Sequence, residues 1–219
     1  LTRKLGYVLA CGDEVLGRPV AQGRVLYAAL EDNNRRLKSR LEKMSPLMAP
    51  WPEAFDLATE WPRLDNGGLP AFEAWLDQHP DGRLIIIDTL ATVRPASSGK
   101  ETLYQGDYQA VRGLHAIANQ RGIAIVLVHH VRKAEADDPF DTVSGSTGLT
   151  GAADTTLVLT NTTDGKVLYG RGRDLVELES AGDFDTATCR WSDLGRPSDV
   201  HGSETRKAIR AALKDGHQT

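Results

Sequence analysis

Three apolar stretches of the sequence end abruptly on side chains of the kinds that take part in catalysis. These endings are Glu31 and Asp32 after residues 23–30, Asp88 and Thr89 after residues 83–87, and His129 and His130 after residues 122–128. Their short lengths and β-branched residues are typical of strands buried on both faces, as in a parallel sheet flanked by helices. Because ligands bind at the carboxyl ends of such strands, the endings would meet at one edge, where an acid can hold Mg²⁺ beside a nucleoside triphosphate.

Each ending also has a simpler explanation. An acid after a strand often caps the next helix or turn, which remains an alternative for Asp88. A single histidine at a strand end is more often a satisfied structural residue than a functional one, although the pair His129 and His130 favours a functional site. The coincidence of three polar endings is what favours a shared site.

The composition indicates one sizeable α/β core with an appendage. The chain has 219 residues, of which 40% are hydrophobic and 26% are charged. Its net charge of -4 gives no overall bias toward nucleic acid, so such binding would need a local basic patch. Cys11 and Cys189 show no metal-ligand spacing and no disulfide framework, which fits a reducing cytosol. No stretch approaches the ~20 apolar residues of a membrane span, so we expect a cytoplasmic protein without a membrane partner.

The other elements are predicted from hydrophobic periodicity and turn residues. Helices are expected over residues 1–10, 33–44, 72–76 and 108–120, a short strand near 55–57, a loop over 91–106, a mobile loop over 131–151 and a further strand over 154–159. Asp32 or Asn33 would cap the helix over 33–44. After a hairpin turn at 163–166, short antiparallel strands are expected over 166–169, 175–178 and 187–191.

The order of these features resembles a known family. A strand ending on Glu31, a strand ending on Asp88, a strand ending on histidines, a Gly/Ser loop and a Gly-Arg-Gly-Arg-Asp hairpin follow one another. This order is similar to that of RecA-fold ATPases of the plasmid RepA type, a hexameric replicative helicase-like family, over residues 1–192. The resemblance implies an α/β fold with a RecA-like, mostly parallel sheet flanked by helices, and a C-terminal antiparallel hairpin extension.

The resemblance assigns roles to individual positions, with ATP and Mg²⁺ as cofactors. Glu31 matches the glutamate that polarises the attacking water. Asp88 matches the Walker B acid that holds Mg²⁺, and Thr89 is its hydroxyl neighbour in the nucleotide site. His130, and with it His129, matches the polar group that senses the γ-phosphate.

Two arginines match the cations that such rings insert into the nucleotide site of a neighbouring subunit. These are Arg171 and Arg173, and strand alternation would place both on one face. A solvated basic edge that blunts β-pairing is the alternative. In the plasmid helicase itself the arginine would fall near Thr156 or Leu157, so this assignment follows the broader helicase pattern.

Two loops, residues 91–106 and 131–148, match those that line the central pore of the ring and grip single-stranded DNA. The basic residues that would contact its phosphates are Arg94, Lys100, Arg132 and Lys133. Nearby acids dilute this positive charge, namely Glu135, Asp137 and Asp138. Ordinary solvated loops are the alternative explanation of these charges.

The chain departs from the family pattern because it contains no G-x-x-x-x-G-K-[ST] phosphate loop. Residues 98–102 imitate the end of this loop, but Arg94 stands in place of its first glycine and Glu101 in place of its hydroxyl residue. In the family the loop directly precedes the helix that matches residues 1–10, so we expect it upstream of Leu1.

The resemblance as a whole implies an ATP-hydrolysing ring motor. We expect a plasmid- or phage-type replicative DNA helicase, a homohexamer that translocates on single-stranded DNA beside other replication proteins. The alternatives are a non-catalytic RecA-fold regulator or adaptor in DNA replication, and a recombinase-like or signalling ATPase. The expected domains are an ATPase core lacking its phosphate loop over 1–192, a linker over 193–202, and the first helix of a truncated winged-helix domain over 203–219.

Overall fold

The computed structural model describes residues 1–16, 18–44, 51–95, 103–132, 136–143, 147–162 and 165–200. Its helices are α1 (Thr2–Cys11), α2 (Asn34–Met44), α3 (Leu69–Gln78), α4 (Leu90–Val93), α5 (Leu103–Arg121) and α6 (Thr147–Ala152). Its strands are β1 (Glu14–Val15), β2 (Arg18–Pro19), β3 (Arg24–Ala29), β4 (Phe55–Ala58), β5 (Gly82–Asp88), β6 (Ala124–Val128), β7 (Thr155–Thr162), β8 (Gly165–Gly172), β9 (Leu178–Asp185) and β10 (Arg190–Gly195). A π-helical turn (Leu64–Gly68) precedes α3, and a 3₁₀ turn (Pro139–Thr142) precedes α6.

Four strands form a parallel sheet in the order β4-β3-β5-β6. In this sheet Asp88 lies opposite Ala29 of β3 on one side and opposite Val128 of β6 on the other. Because the strands are parallel, their carboxyl ends share one edge. The register therefore brings the chain beyond Ala29, which continues to Glu31, and the chain beyond Val128, which continues to His130, to the same edge as Asp88.

Side chains alternate between the two faces of this sheet, and each face has its own hydrophobic core. One core combines Leu26, Ile85 and Ile87 with Phe72, Val111 and Leu114 from α3 and α5. The other combines Tyr27, Leu84 and Ile86 with Ala10, Leu37 and Leu41 from α1 and α2. Burial on both faces explains why the central strands are almost continuously apolar until they reach the edge.

Helix α1 packs directly on the sheet through Gly6. A Cβ atom at this position would lie 2.8 Å from a ring carbon of Phe55 and 3.1 Å from Ile86. A larger residue would therefore push the helix away from the sheet, because the interior has no spare room there. This close packing allows Arg3, in the first turn of α1, to reach Tyr27 of β3.

The four C-terminal strands form a separate antiparallel sheet in the order β10-β9-β8-β7. Strands β7 and β8 make the expected hairpin, with Thr162 opposite Gly165. The predicted fold class, a mostly parallel sheet flanked by helices with a C-terminal antiparallel extension, is confirmed. The predicted strands that became β3, β4, β5 and β6, and the helices that became α1 and α2, are also confirmed.

Two antiparallel strands lie later in the chain than predicted. The strands expected over 175–178 and 187–191 begin instead at Leu178 and Arg190. The prediction followed local apolar residues, but Val176 is 90% exposed. Strand β9 pairs with both β8 and β10. Its position is therefore set by these neighbouring strands and not by the strand propensity of its local sequence.

Both predicted loops contain regular structure. Helix α5 begins at Leu103, earlier than the expected start at Tyr108, and the short helix α4 lies within the first loop. In the second loop Val131 pairs with Val143, and α6 buries Leu149 in the core. This burial is a tertiary contact that the polar local composition did not reveal.

The C-terminal end of the described chain differs slightly from the predicted linker. Strand β10 runs to Gly195, within the segment 193–202 that was expected to be a linker. The helix predicted over 203–213 lies outside the described residues. Among the described helices, none combines the length and the apolar character needed to cross a membrane.

Candidate active site

The three polar strand endings come together around Glu31. The hydroxyl of Thr89 donates a hydrogen bond to Oε1 of Glu31 at 2.6 Å, and Nε2 of His130 lies 3.3 Å from Oε2. Asp88 is the residue before Thr89, and the peptide bond between them is cis. The prediction that Glu31, Asp88 and His130 lie at one edge of the parallel sheet is confirmed. Of the predicted histidine pair, His130 supplies this contact with Glu31.

A buried tyrosine holds Asp88, and sequence reasoning missed it. The hydroxyl of Tyr27, a residue with 0% exposure, donates to Oδ2 of Asp88 at 2.5 Å and accepts a hydrogen bond from Nε of Arg3 at 2.9 Å. Burial, and then the hydrogen bond to the Asp88 carboxylate, raise the pKa of Tyr27 well above its ordinary value. Tyr27 therefore remains a neutral phenol that donates a hydrogen bond to Asp88.

The alternative role of Asp88 as a helix cap is not observed. Helix α4 begins directly after Thr89, and no side chain hydrogen-bonds to its first amides. Within the described ranges, Oδ1 of Asp88 accepts no side-chain hydrogen bond, whereas Oδ2 is held by Tyr27. One carboxylate oxygen of Asp88 is thus held by Tyr27.

Glu31 and its neighbour Asp32 have different surroundings. The side chain of Asp32 is 9% exposed and forms ion pairs with three arginines: Arg3, Arg36 at 3.3 Å and Arg40 at 3.1 Å. Asn33 and not Asp32 caps α2, because its Oδ1 accepts from the amide of Arg36 at 2.9 Å. Asp32 therefore joins α1 to α2, while the Glu31 side chain, 47% exposed, is left at the site.

The hydrogen bonds to Glu31 keep it ionised. Thr89 first, and His130 second, lower the pKa of this carboxyl group below its ordinary value. A carboxylate in this state can accept a hydrogen bond from a water molecule and later its proton. The arrangement fits a residue that orients a nucleophilic water beside a site for phosphate.

The two predicted arginines lie at the end of β8, in the antiparallel part of the fold. Nη1 of Arg171 lies 3.0 Å from Asp138 and its Nε 3.2 Å from Glu177. Arg173 lies 3.5 Å from Asp154. Strand β8 ends at Gly172, so Arg171 lies on the strand and Arg173 directly follows it, and the expected strand alternation does not extend to Arg173.

Both arginines nevertheless line one cleft of about 780 Å³. Arg132, one of the predicted DNA contacts, lines the same cleft, and its amide donates to the carbonyl of Thr142 at 2.8 Å. Arg94 directly follows α4 and is half-buried. The remaining predicted contacts, Lys100 and Lys133, and the rejected loop over 98–102 lie outside the described residues.

Comparison with known proteins places the chain in a family. Residues 1–136, more than half of the sequence, match the AAA domain family. The chain belongs to the AAA domain family. A search of curated protein sequences found no match.

Two solved structures share the fold of this AAA domain at low sequence identity. One is an ATPase domain that aligns with a TM-score of 0.62 and 13% identity, over 78% of this chain and 75% of that chain. The other, a DnaB-like replicative helicase studied with its interactions with primase, aligns with a TM-score of 0.60 and 13% identity, over 78% of this chain and 51% of that chain. The fold is therefore the RecA-like fold of helicase ATPase domains, and this chain spans about half the length of the DnaB-like helicase.

The site of this AAA domain has a donor set that suits Mg²⁺ bound together with a nucleotide. Among the described residues, no group of three or more histidines, cysteines or acids could hold a metal by itself. Mg²⁺ usually takes one or two carboxylates, with phosphate oxygens and water as its other ligands. Asp88 could supply one such carboxylate, and it is linked through the Tyr27 hydroxyl to Arg3 in the first turn of α1.

Proposed function

We propose that the chain is the ATP-hydrolysing core of a cytoplasmic ring motor, a plasmid- or phage-type replicative DNA helicase that translocates on single-stranded DNA. The observation that carries this proposal is the placement of Glu31 between Thr89 and His130 and beside Asp88, at the end of a RecA-like sheet. The proposal extends the core to the end of β10 at Gly195, followed by a linker to residue 202 and the start of a winged-helix domain over 203–219.

The proposed chemistry is phosphoryl transfer to water. Mg²⁺, when bound with ATP, would neutralise charge on the phosphates. Asp88 would hold this ion with the oxygen that Tyr27 leaves unbound. Glu31 would orient the attacking water, because its carboxylate is ionised and fixed by the Thr89 hydroxyl. His130 contacts Glu31. It would sense the γ-phosphate, together with the neighbouring His129, and its contact would couple that phosphate to Glu31.

The arginines would complete the site of a neighbouring subunit. Arg171 and Arg173 lie at the end of the antiparallel strand β8, whereas Glu31 and Asp88 lie at the ends of strands of the parallel sheet. The ion-pair partners of the two arginines are acids, Asp138 and Glu177 for Arg171 and Asp154 for Arg173. A homohexameric ring would bring them to the next nucleotide, where they would stabilise charge on phosphate. Such an arrangement would make hydrolysis depend on assembly.

Single-stranded DNA would contact the basic residues of the two loops, Arg94, Lys100, Arg132 and Lys133. The chain carries no overall positive charge, so these local contacts would provide most of the attraction. Other replication proteins would be partners of the ring, as primase is for the DnaB-like helicase of similar fold.

The proposal is tested by measuring ATP hydrolysis of the full-length protein with and without single-stranded DNA. Glu31→Gln should abolish turnover and spare nucleotide binding, because the amide keeps the shape of the side chain and cannot accept a proton. Glu60→Gln, at an exposed position outside the site, is the matched control and should hydrolyse at the wild-type rate.

Three results would contradict the proposal. Unchanged turnover in Glu31→Gln would remove this residue from the mechanism. A wild-type protein that binds single-stranded DNA and never hydrolyses ATP would favour the RecA-fold adaptor. Hydrolysis that depends on DNA without strand separation would favour a recombinase-like ATPase.

A further inference from the structure

The surroundings of Arg171 point to a contact that limits ATP hydrolysis by the proposed ring motor. The inference rests on that proposed function. Arg171 contacts two carboxylates, Asp138 at 3.0 Å and Glu177 at 3.2 Å, and its guanidinium carbon lies 4.2 Å from the centre of the Phe140 ring. Asp138 and Phe140 belong to the 3₁₀ turn and its cap, in the segment between β6 and α6. The same segment contains His130, which contacts Glu31.

The turn that presents Asp138 and Phe140 is fixed by its own hydrogen bonds. Oδ1 of Asp138 accepts from the amide of Phe140 at 2.9 Å and caps the turn. The hydroxyl of Thr142 donates to the carbonyl of Pro139 at 2.5 Å. Val143, directly after the turn, pairs with Val131 next to His130. Asp138 is therefore held in place by its own segment, and its other oxygen meets Arg171.

We infer that Asp138 is a positioning residue that restrains Arg171 within its own subunit, and that the guanidinium must leave Asp138 before it can contact phosphate in the neighbouring subunit. An arginine stabilises a phosphate only with its positive charge and its N–H donors. In the free subunit two acids use two of these donors and offset the charge. The same acids would repel an approaching phosphate.

The restraint is weak enough to be reversible. The side chains of Arg171 and Asp138 are 50% and 38% exposed, and exposed ion pairs contribute little because water screens them. The stack on Phe140 does not use the N–H donors, so it can keep the plane of the guanidinium oriented while its partner changes. Asp138 thus keeps Arg171 in an ion pair within its own subunit, and Phe140 keeps the guanidinium plane oriented when that ion pair breaks.

Binding of single-stranded DNA at Arg132 would be the event that releases Arg171 from Asp138. Arg132 and Arg171 line the same cleft, and Arg132 is hydrogen-bonded to the end of the turn through Thr142. A DNA phosphate drawn to Arg132 would also repel Asp138, since both carry negative charge. Stimulation of ATP hydrolysis by DNA would then come partly from the loss of this restraint.

The test compares Asp138→Asn with Asp137→Asn in the full-length protein. Asparagine caps a turn as well as aspartate does, so the first change removes the charge and keeps the local fold. Asp137 is the exposed neighbouring acid and serves as the control. Glu177→Gln removes the second carboxylate without touching the turn, and it should act in the same direction.

Two measurements are made on each variant. The first is the rate at which phenylglyoxal, a guanidinium reagent, modifies Arg171, followed by mass spectrometry in the absence of ATP and DNA. The second is kcat for ATP with and without an oligothymidylate. Asp138→Asn should raise the labelling rate and the DNA-free kcat by about two- to five-fold, the range for loss of an exposed ion pair. The kcat with DNA should be unchanged, so the stimulation ratio falls.

The outcomes separate this inference from the proposed function. Unchanged labelling of Arg171, or a DNA-free kcat that stays the same or falls in Asp138→Asn, overturns the restraint. An equal effect of Asp137→Asn also overturns it, because general loss of negative charge would then explain the result. A wild-type protein that hydrolyses no ATP overturns the proposed function, whereas the labelling rates still decide whether Asp138 holds Arg171.

Discussion

The edge of the parallel sheet and the arginine cleft hold their polar residues in different ways. At the sheet edge Tyr27 and Thr89 are 0% and 1% exposed, and each hydrogen-bonds to a residue of another segment. In the cleft Arg171 and Arg173 have side chains that are 50% and 66% exposed and are held by ion pairs. The first region suits groups that must keep one geometry, and the second suits groups that must change partners.

Burial explains this difference in physical terms. A buried hydrogen bond is protected from competing water, and breaking it leaves a desolvated polar group without a partner. An exposed ion pair can dissociate at little cost because water solvates both charges. Under the proposed function, the residues at the ends of β3, β5 and β6 would form a fixed half-site, and the arginines at the end of β8 would form an exchangeable half-site.

The largest effect expected from this division is the loss of activity when either half-site is damaged. Arg171→Ala and Arg173→Ala should each lower kcat by about a thousand-fold or more, the range for an arginine that acts on phosphate in trans. Mixing Arg173→Ala subunits with Glu31→Gln subunits should recover part of the activity, because some interfaces then combine an intact Glu31 with an intact Arg173.

The recovery should increase with total protein concentration, and it is measured as ATP hydrolysis in mixtures of known ratio. Each variant alone provides the baseline. An active Arg173→Ala protein, or an inactive mixture that still assembles into rings, would show that the cleft arginines are only a solvated strand edge.

The second prediction compares the stability of the two sheets. Ile86→Ala removes a fully buried side chain from the centre of the parallel sheet and should lower the free energy of unfolding by about 2–5 kcal/mol. Leu157→Ala on the antiparallel sheet removes a side chain that is 55% exposed, and it should change this free energy by about 0.5 kcal/mol or less. Urea unfolding followed by circular dichroism measures both. Equal losses would mean that the two sheets are equally packed.

Local sequence predicted the fixed half-site well because its signal is local. An apolar strand that ends on a polar residue can be recognised within a few positions, and parallel strands bring such endings together. Glu31, Asp88 and His130 were found in this way. Their roles in catalysis stay predictions that the experiments above test.

The residues that sequence reasoning missed depend on tertiary register. In the sequence, Tyr27 is one residue of an apolar stretch, and Arg3 is a polar residue within the helix expected over residues 1–10. The contact of Tyr27 with Asp88 follows from the pairing of Ala29 with Asp88, and the contact of Arg3 with Tyr27 follows from the close approach of α1 at Gly6. Neither the strand register nor the approach of α1 can be predicted from the sequence of a single segment.

The exchangeable half-site was harder to place for the same reason. Strand β9 is set by the strands on both sides of it, and the position of Arg173 is set by where β8 ends. The partner of Arg171, Asp138, looked like one of several acids that dilute a basic loop. Only the folded chain shows that Asp138 contacts Arg171, which lies 33 positions later in the sequence.

The third prediction tests whether the fixed half-site depends on Tyr27. Tyr27→Phe keeps the buried ring and removes the hydroxyl that holds Oδ2 of Asp88. Residues that orient a metal ligand typically change metal affinity or activity by about 10- to 100-fold when they are replaced. We expect a loss of about ten-fold in kcat and in the affinity for Mn²⁺ as a substitute for Mg²⁺, the latter measured by electron paramagnetic resonance.

Tyr169→Phe, on the antiparallel sheet, is the matched control and should change neither quantity. Thermal unfolding of both variants checks that the fold is intact. If Tyr27→Phe binds Mn²⁺ as tightly as the wild type, Tyr27 contributes only to packing and Asp88 needs no such support.

The smallest expected effect is a shift of the pH profile. The Thr89 hydroxyl lowers the pKa of Glu31 below its ordinary value of 4.5, because the hydrogen bond favours the ionised carboxylate. Thr89→Val keeps the buried shape and removes this bond, so the pKa of Glu31 should rise toward its ordinary value. The acid limb of kcat against pH reports the ionisation of Glu31 and should move to higher pH.

The same bond has a signature in stability that does not require activity. A carboxyl group with a lowered pKa in the folded state adds stability above its ordinary pKa, and this stability is lost as the pH falls through the folded value. Thr89→Val should therefore lose less stability than the wild type when the pH is lowered below 4.5, whereas Thr89→Ser, which keeps the hydroxyl, should behave as the wild type. Urea unfolding across this range measures the difference. If both variants follow the wild-type curve, the hydroxyl does not tune Glu31, and the fixed half-site would rest on Tyr27 and Asp88 alone.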